Sequence, residues 1–351
     1  FDSPLVNIFN NIQILELFHG PTLAFKDFGA RFMARTMEKI VSNKDKELNI
    51  LVATSGDTGS AVANGFYNVE GINVIILYPS KKVSYIQEKQ LTTLGGNIFA
   101  LEIDGSFDEC QALVKKAFLD LNLKKKINLS SANSINIARL IPQTFYYFNA
   151  YSKVKNKNNV VISVPSGNFG NVTAGLLSKK MGLPIAKFIA STNKNKTVPD
   201  FIENGVYKPY KTIQTISNAM DVGNPSNIKR ILDIYKNSDN LKQDMFSWSY
   251  DDDKTIGIIK KILNDFKYIL DPHSAVGLLG LENYAKYDNN FNGIFLGTAH
   301  PSKFLDIIEP EINEKIKVPD RLNDVLDKEK KSLFMKNDYK DFSNYLLENF
   351  I

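Results

Sequence analysis

The sequence predicts an α/β protein made of two parallel-sheet domains with helices on both faces of each sheet. Short apolar runs typical of buried strands alternate with segments of helical periodicity along most of the chain. Strands separated by helices in this way run parallel and are covered on both faces. The chain has 351 residues, of which 43% are apolar and 23% charged, which is enough for two domains with a large core.

The first half of the chain holds a series of predicted helices and strands. Apolar residues at helical spacing indicate a helix from Phe28 to Ile40. Ser106 and Glu109 have the spacing of a capping box and predict the start of another helix. A long helix, NIARLIPQTFYYFNAYSKV, contains Pro142 as a candidate kink. The strands predicted in this half are Asn49–Ala53, Asn73–Pro79, Asn97–Ile103 and the segment KINLSSA.

The second half continues the alternation of strands and helices. Strands Asn159–Pro165 and Lys187–Thr192 bracket a helix from Asn171, and the last strong strand is Gly293–Thr298. The lysine-rich end of the chain predicts a solvated helical tail. We expect a larger domain of residues 1–45 and 150–310, a smaller mobile α/β domain of residues 46–149, and a tail of residues 311–351. A functional site is expected in the cleft between the domains.

Charge, cysteine and histidine content narrow the class of protein. The net charge is +5, but the lysines are scattered among acids and asparagines, so we expect no nucleic-acid partner. No apolar run reaches the length of a membrane span, so no membrane partner is expected either.

The single cysteine, Cys110, indicates a reducing compartment, the cytoplasm. His19, His273 and His300 lack metal-ligand spacing, so no metal site is expected. A first residue of Phe1 predicts a fragment or a processed form.

Two glycine-containing loops follow predicted strands and precede helices. In Ser166–Asn171, the glycines Gly167 and Gly170 let the backbone turn tightly and approach a ligand. The helix that follows directs its free N–H groups at the loop, which predicts an anion site suited to a phosphate. A plain β–α turn is an equally good interpretation of this stretch. Ser55–Gly59 repeats the architecture, with hydroxyl groups at Ser55, Thr58 and Ser60.

Neither loop has the spacing of a nucleotide-binding motif. No Gly-Lys-Ser/Thr follows either loop, and neither has the G-x-G-x-x-G pattern of a dinucleotide site. Two separate anion loops suit two separate anions, for example the phosphate of a cofactor and an acidic substrate.

Lys26 lies between Phe25 and Phe28 at the predicted start of a helix. Apolar neighbours and a positive helix end both disfavour an ammonium group, and a neutral amine is a nucleophile. Such a lysine near a phosphate loop predicts a Schiff base with pyridoxal phosphate. The alternative is a partly buried lysine whose amine extends to water.

Two further residues suggest ligand contacts. Thr298 closes an apolar strand, where its hydroxyl is either a helix cap or a partner for a ring nitrogen. Arg139 follows the polar segment NLSSANSINIA, and it is the only arginine between Arg35 and Arg230. It is a candidate for planar recognition of phosphate or carboxylate, with a surface ion pair as the alternative.

Taken together and in order, these motifs resemble those of the threonine synthases, a family of fold type II pyridoxal phosphate enzymes. LFHGPTLAFKDFGARFMA is similar to the family's cofactor-lysine motif, and ATSGDTGSAVA to its first glycine loop. SANSINIARL resembles its substrate-phosphate segment, VPSGNFGN its cofactor-phosphate loop and FLGTAHPSKF its threonine segment. SNAMDVGNPSN also looks like the family. The resemblance implies a fold like that of the tryptophan synthase β subunit.

The resemblance also implies an activity and a role for each matched residue. The implied reaction converts O-phospho-L-homoserine and water to L-threonine and phosphate, by γ-elimination and then β-addition of water, as the last step of threonine biosynthesis. Lys26 is implied as the Schiff-base lysine and general base, and Thr298 as the partner of the ring nitrogen. The implied phosphate-binding residues of the cofactor site are Gly167, Asn168, Phe169, Gly170 and Asn171. The implied substrate-binding residues are Ser55, Thr58, Asn133, Ser134 and Arg139.

The sequence is compatible with more than one role for Asp57, more than one activity and more than one oligomeric state. Asp57 stands where some relatives carry asparagine facing the cofactor's phenolic oxygen, so an aspartate there needs a shared proton or another orientation. The family also carries a longer segment before the lysine motif. Alternatives are another fold type II lyase, such as a serine or threonine dehydratase or an amino-alcohol-phosphate phospholyase, and an inactive ligand-binding remnant. A monomer and a homo-oligomer are equally compatible with the sequence.

Overall fold

The structure is a computed structural model that describes residues 1–41 and 47–351. By their internal contacts these residues form two compact units. The first unit comprises Phe1–Phe25 and Leu140–Lys317, and the second comprises Lys26–Arg139 and Val318–Ile351. Within the described residues, no helix combines the length and the apolar character needed to span a bilayer.

The elements are numbered in chain order. The strands are β1 (Leu5–Phe9), β2 (Ile12–Glu16), β3 (Leu48–Ala53), β4 (Ile72–Pro79), β5 (Ile98–Asp104), β6 (Leu129–Ser131), β7 (Val160–Pro165), β8 (Lys187–Thr192), β9 (Met245–Ser249), β10 (Asn292–Gly297) and β11 (Leu333–Lys336). The α-helices are α1 (Lys26–Val41), α2 (Asp57–Phe66), α3 (Tyr85–Thr92), α4 (Phe107–Leu119), α5 (Leu121–Lys126), α6 (Ile137–Lys153), α7 (Gly170–Lys180), α8 (Thr197–Asn204), α9 (Ile228–Tyr235), α10 (Ser238–Lys242), α11 (Asp252–Phe266), α12 (Pro272–Tyr284), α13 (Leu305–Ile312), α14 (Asp320–Leu326) and α15 (Tyr339–Asn349). Short 3₁₀ helices cover Asn218–Met220 and Pro301–Phe304.

The first unit is built on a six-stranded sheet in the order β1-β2-β10-β7-β8-β9. Neighbouring strands are parallel except in the β1–β2 hairpin. Strands β7 and β10 are buried almost throughout, as expected of parallel strands covered on both faces. The predictions of β7, β8 and β10 are confirmed. The sequence pattern does not predict β1, β2 and β9, because these short strands interrupt their apolar residues with polar ones.

The second unit has a five-stranded, wholly parallel sheet in the order β11-β5-β4-β3-β6. Alternate residues of β3 enter two different cores. Ile50 and Val52 pack with residues of α1 and α2, whereas Leu51 and Ala53 pack with residues of α4 and α15. Helices therefore cover both faces, as the sequence predicts. The capping box of Ser106 and Glu109 at the start of α4 is also confirmed.

The C-terminal segment is more than the solvated helical tail predicted from its lysines. Strand β11 pairs in parallel with β5, and Phe342 and Leu346 of α15 are fully buried in a core of the second unit. The spacing of these two residues is that of a helix face. The many lysines around them made this apolar face hard to recognise, since lysine predominates on solvated helices.

Replacing Phe342 with alanine should destabilise the second unit strongly. The side chain is completely buried, so its removal leaves a cavity and should cost about 3–5 kcal/mol of unfolding free energy. Urea unfolding followed by circular dichroism measures this change. Phe334→Ala is the matched control, because Phe334 lies on β11 of the same segment but is 57% exposed. Equal losses for both variants would contradict a packed C-terminal segment.

The compact units and the expected domain boundaries do not coincide. Residues 1–45 were expected in the larger domain, but Ala30 and Met33 of α1 pack with Ala61 and Val62 of α2 in one core of the second unit. The expected boundary between residues 45 and 46 lies outside the described residues. The second unit instead begins at Lys26.

Candidate active site

Lys26 is the first residue of α1, and its side chain is only 14% exposed. Its Nζ lies 3.9 Å from Oδ2 of Asp57, whose side chain is 4% exposed. This distance is longer than a hydrogen bond but short enough for a strong charge interaction. Asp27, the next residue, lies inside the first turn of α1 and is fully buried. The predicted nucleophile therefore has a carboxylate as its neighbour within the same unit.

Asp57 opens α2 and is held on its other side by Gln87. The Gln87 side chain on α3 donates from Nε2 to Asp57 Oδ1 over 2.9 Å. Gly56, directly before Asp57, has a φ of +132°, which favours glycine at this position. The sequence analysis did not single out Gln87, because nothing in its local pattern shows which loop its amide reaches.

The Ser55–Gly59 loop is organised by a residue that the sequence analysis also missed. Thr54 is buried, and its Oγ1 accepts hydrogen bonds from Gly56 N at 3.0 Å and from Gly59 N at 2.8 Å. Ser60 is buried as well and donates from Oγ to Gly56 O over 3.2 Å. By contrast, Ser55 and Thr58 are partly exposed. Their hydroxyl groups are thus better placed than that of Ser60 to reach a ligand.

Asn133 supports this loop through the end of β3. Its Nδ2 donates to Ala53 O over 2.7 Å, and its Oδ1 accepts from Ala53 N at 3.3 Å. The side chain therefore pairs with the backbone of β3 much as a neighbouring strand would. Ser134, the next predicted substrate residue, is partly exposed.

Arg139 is almost completely buried in the second unit. Its Nη1 donates to Ala132 O over 2.5 Å, and a Cβ added at Gly29 would lie 2.6 Å from Arg139 O. Burial lowers the pKa of the Arg139 guanidinium to about 10, and the Asp27 carboxylate partly opposes that shift. Arg139 therefore joins the start of α6 to α1. Direct contact with a substrate anion stays a prediction.

The Ser166–Asn171 loop lies in the first unit and leads into α7. Phe169 adopts a left-handed conformation with a φ of 60°, and α7 begins at the next residue. The first amides of a helix have no acceptor within the helix, and together with the positive helix end they form an anion site. The strand–loop–helix arrangement predicted here is confirmed; the phosphate itself stays a prediction.

Asn171 provides a further donor to this loop. Its Oδ1 accepts hydrogen bonds from the phenols of Tyr146 at 2.5 Å and Tyr147 at 2.6 Å. Burial raises the pKa of both phenols well above its ordinary value, so both remain protonated donors. The Nδ2 of Asn171 is buried and has no hydrogen-bond partner among the described residues. A buried N–H donor without an acceptor reduces the stability of the folded protein unless a bound group accepts a hydrogen bond from it.

Neighbouring segments hold the loop in place. Asn168 Oδ1 accepts from Ser226 N at 2.6 Å, and Asn227 Nδ2 donates to Asn168 O over 2.9 Å. Gly167 lies so close to the 3₁₀ helix Asn218–Met220 that an added Cβ would be 2.7 Å from Met220 Cα. The segment SNAMDVGNPSN thus packs directly against the loop, within the first unit.

Thr298 follows β10 in the same unit and is 5% exposed. Its N–H donates to Ser274 Oγ over 3.3 Å, and its carbonyl accepts from Phe25 N at 2.9 Å. These contacts fix the backbone that carries the Thr298 hydroxyl. Phe25 is the residue directly before Lys26 in the chain.

The residues present fit pyridoxal phosphate, the cofactor that the resemblance implies. The Nδ2 of Asn171, which has no partner within residues 1–41 and 47–351, and the amides at the start of α7 are the donors that a phosphate needs. Lys26 is a largely buried amine of the kind that bonds an aldehyde. In residues 1–41 and 47–351, no cluster of histidine, cysteine, aspartate and glutamate side chains has the geometry to bind a metal ion.

Comparisons with known proteins point in the same direction. The profile of the family described as "Pyridoxal-phosphate dependent enzyme" matches residues 11–293, and that described as "Threonine synthase, C-terminal" matches residues 274–346. The threonine synthase of Buchnera aphidicola from Acyrthosiphon pisum is 51% identical over 331 residues, covering 93% of this chain and 76% of the relative.

Solved structures are similar over almost the whole chain. The crystal structure of threonine synthase from Escherichia coli superposes with a TM-score of 0.93 at 44% identity, covering 99% of this chain and 81% of that chain. The structure of threonine synthase from Brucella melitensis, solved with pyridoxal phosphate bound, has a TM-score of 0.89 at 34% identity and covers 99% and 80% of the two chains.

Proposed function

The chain belongs to the threonine synthase family of pyridoxal-phosphate-dependent enzymes, and we propose that it converts O-phospho-L-homoserine and water to L-threonine and inorganic phosphate. The observation that carries this proposal is a similarity to threonine synthases along 99% of the chain, at 44% identity to a solved structure. The largely buried amine of Lys26 beside Asp57 supports it independently.

The family resemblance gives each cofactor contact to a named residue of this chain. We propose that Lys26 bonds the aldehyde, that Thr298 meets the ring nitrogen, and that Asp57 faces the phenolic oxygen with one proton shared between the two groups. The phosphate would be bound by the loop residues Gly167, Asn168, Phe169, Gly170 and Asn171. Bound pyridoxal phosphate supplies a conjugated ring that spreads the negative charge developing on substrate carbon atoms.

Lys26 would also serve as the general base. With substrate bound, the neutral amine of Lys26 would take the proton from Cα and then assist proton movement at Cβ. The Asp57 carboxylate at 3.9 Å would stabilise the ammonium group formed by each proton transfer. Phosphate then leaves from Cγ, and water adds at Cβ.

The second anion loop would bind the phosphate of the substrate. Ser55 and Thr58 offer partly exposed hydroxyl groups, and α2 directs its first amides at the same loop. Ser134 is a further partly exposed candidate. Asn133 and Arg139 remain proposed substrate residues. The observed hydrogen bonds of each side chain include one to a backbone carbonyl, from Asn133 to Ala53 O and from Arg139 to Ala132 O. Charge that develops on the leaving phosphate would be stabilised by these donors.

The test of the function is a comparison of two substrates. The purified protein with saturating pyridoxal phosphate should release equal amounts of phosphate and threonine from O-phospho-L-homoserine. It should release little ammonia from L-threonine. Ammonia release without phosphate release would instead identify a dehydratase, and no reaction with either substrate would identify an inactive relative.

Arg139→Ala separates a substrate role from a structural one. If Arg139 binds the substrate anion, the KM for O-phospho-L-homoserine should rise at least about tenfold, because charge-assisted hydrogen bonds contribute about 1.5–3 kcal/mol. The affinity for pyridoxal phosphate should then change little. Steady-state kinetics and cofactor titration measure the two effects. Arg35→Ala is the control, since Arg35 on α1 pairs with Glu38 at the surface. An equal loss of substrate and cofactor affinity would assign Arg139 to the fold alone.

A further inference from the structure

Gln87 is completely buried on α3, and both ends of its amide are engaged. Its Oε1 accepts from Ser84 N at 3.2 Å, while Ser84 Oγ accepts from Gln87 N at 3.3 Å. These reciprocal bonds form a capping box at the start of α3. Because Oε1 is committed to Ser84, the amide presents Nε2 to Asp57, and it donates to Oδ1 over 2.9 Å.

The approach of Gln87 to Asp57 depends on Gly56. A Cβ added at Gly56 would lie 2.5 Å from Cδ and Oε1 of Gln87. The Gln87 amide therefore packs directly on the backbone of the Ser55–Gly59 loop. Gln87 thus takes part in the cap at the start of α3 and also donates a hydrogen bond to the Asp57 carboxylate on α2.

One oxygen of Asp57 accepts the hydrogen bond from Gln87, and the other is the oxygen nearer to Lys26. The Lys26 Nζ and Asp57 Oδ2 are 3.9 Å apart, whereas a direct ammonium–carboxylate hydrogen bond is about 2.8 Å long. A carboxylate with one oxygen held by a buried donor cannot swing freely toward the amine. A direct ion pair would fix Lys26 as an ammonium group, which has no lone pair to offer.

We propose that Gln87 is a positioning residue that keeps the Asp57 carboxylate from closing to a hydrogen-bonded ion pair with Lys26 and so keeps the amine available to bond the cofactor aldehyde. The inference deepens the proposed function and depends on the assignment of Lys26 as the cofactor lysine. In the bonding step, the amine lone pair adds to the aldehyde carbon and a C=N bond forms. The aldehyde oxygen leaves as water with the two amine hydrogens.

The test measures capture of pyridoxal phosphate by the apoprotein of the full chain. The rate constant is obtained from the visible absorption band that appears after mixing. Gln87→Met keeps the size of the side chain but removes its donor, and capture should slow by about tenfold or more, the effect of losing a buried hydrogen bond to a charged group. Gln90→Met, the same change one turn along α3 at a buried glutamine, should leave the rate within about twofold.

A double-mutant cycle shows whether Gln87 acts through Asp57. In an Asp57→Ala background, Gln87→Met should change the capture rate by less than about twofold, because the carboxylate that Gln87 holds is absent. A loss of similar size with and without Asp57 would overturn the proposal and leave Gln87 as a structural residue. Unchanged capture in the single variant, with the melting temperature preserved, would overturn it as well.

Gln87→Glu covers the case in which the methionine variant unfolds. The introduced carboxylate retains the acceptor for Ser84 N and hence the capping box, but it replaces the donor that faces Asp57 Oδ1 with an acceptor. Two carboxylates in contact raise the pKa of one of them, and a shared proton would restore a donor to Asp57 at low pH. Capture relative to the unchanged protein at the same pH should therefore slow by at least about tenfold once the pH is high enough to remove that proton, and normal capture at every pH above neutral would contradict the proposal. The readout requires no substrate, so a failure of the proposed reaction on O-phospho-L-homoserine leaves this test intact.

Discussion

Lys26→Ala should abolish the visible absorption band of the lysine-bound cofactor and reduce threonine formation by at least about 10⁴-fold. The variant loses both the amine that bonds the aldehyde and the general base, and a positioned base alone contributes about 10²–10⁴-fold. The absorption spectrum with saturating pyridoxal phosphate and a chromatographic assay of threonine measure the two losses.

Two further variants make this result specific. Lys39→Ala removes an exposed lysine from the last turn of the same helix and should retain both band and turnover. Lys26→Arg keeps a positive charge beside Asp57 but provides no amine for the aldehyde, so it should behave like the alanine variant. A normal visible band in Lys26→Ala would show that another amine bonds the cofactor and would refute the assignment.

Gly167→Ala should weaken cofactor binding by about tenfold or more and destabilise the protein by about 1–3 kcal/mol, the usual cost of overpacking. The added Cβ would lie 2.7 Å from Met220 Cα and 2.8 Å from Ala219 O. Both are backbone atoms, so no side chain can move aside to make room. The loop or its neighbour must shift instead, which alters the amides proposed to bind the cofactor phosphate.

The neighbouring segment has little freedom to move away from such a Cβ. Ala219 N donates to His273 Nε2 over 3.2 Å, and Asp221 Oδ1 accepts from Asn193 Nδ2 at 2.8 Å and from Thr215 Oγ1 at 2.7 Å. Asp221 is largely buried, and burial raises its pKa to about 6, so this network loses acceptors if the pH falls below that value. Because these hydrogen bonds hold the residues on both sides of Met220, the segment cannot move away from the added Cβ without losing some of them.

Fluorescence titration with pyridoxal phosphate and urea unfolding measure the two effects of Gly167→Ala. Gly257→Ala is the matched control, because Gly257 lies in α11 with nothing within 4 Å of an added Cβ. That variant should bind cofactor normally and become slightly more stable, since alanine favours a helix over glycine by about 1 kcal/mol. Normal cofactor affinity in Gly167→Ala would mean that the Ser166–Asn171 loop does not bind the phosphate.

Most strands that the sequence predicts lie inside the two sheets, although KINLSSA correctly predicts the edge strand β6 and no pattern indicates the inner strand β2. Continuous apolar runs such as those of β4 and β7 leave no alternative to a covered parallel strand. Strand β11, with only Met335 buried, shows no such run, because its place in the sheet is determined by pairing with β5 rather than by its own composition. Local pattern therefore identifies strands with a continuous apolar run most readily.

A similar division applies to the candidate site. Lys26 and the two glycine loops are visible in the sequence because each carries its own unusual local composition. Gln87, Thr54 and the phenols of Tyr146 and Tyr147 are not, since their importance depends on which atoms they meet after folding. Asn133 and Arg139 show the converse: the sequence indicates ligand contacts, whereas their observed hydrogen bonds include backbone carbonyls.

The pairing of β11 with β5 has a consequence for synthesis on the ribosome. Residues 26–139 emerge first, but the outer edge of β5 and the core that receives Phe342 and Leu346 are completed only by residues 318–351. About 180 residues must be translated between the two parts, which takes on the order of ten seconds or more at about 5–20 residues per second. During that interval the nascent chain exposes an unpaired strand edge and uncovered apolar surface, so chaperones that bind such surfaces should engage it before release.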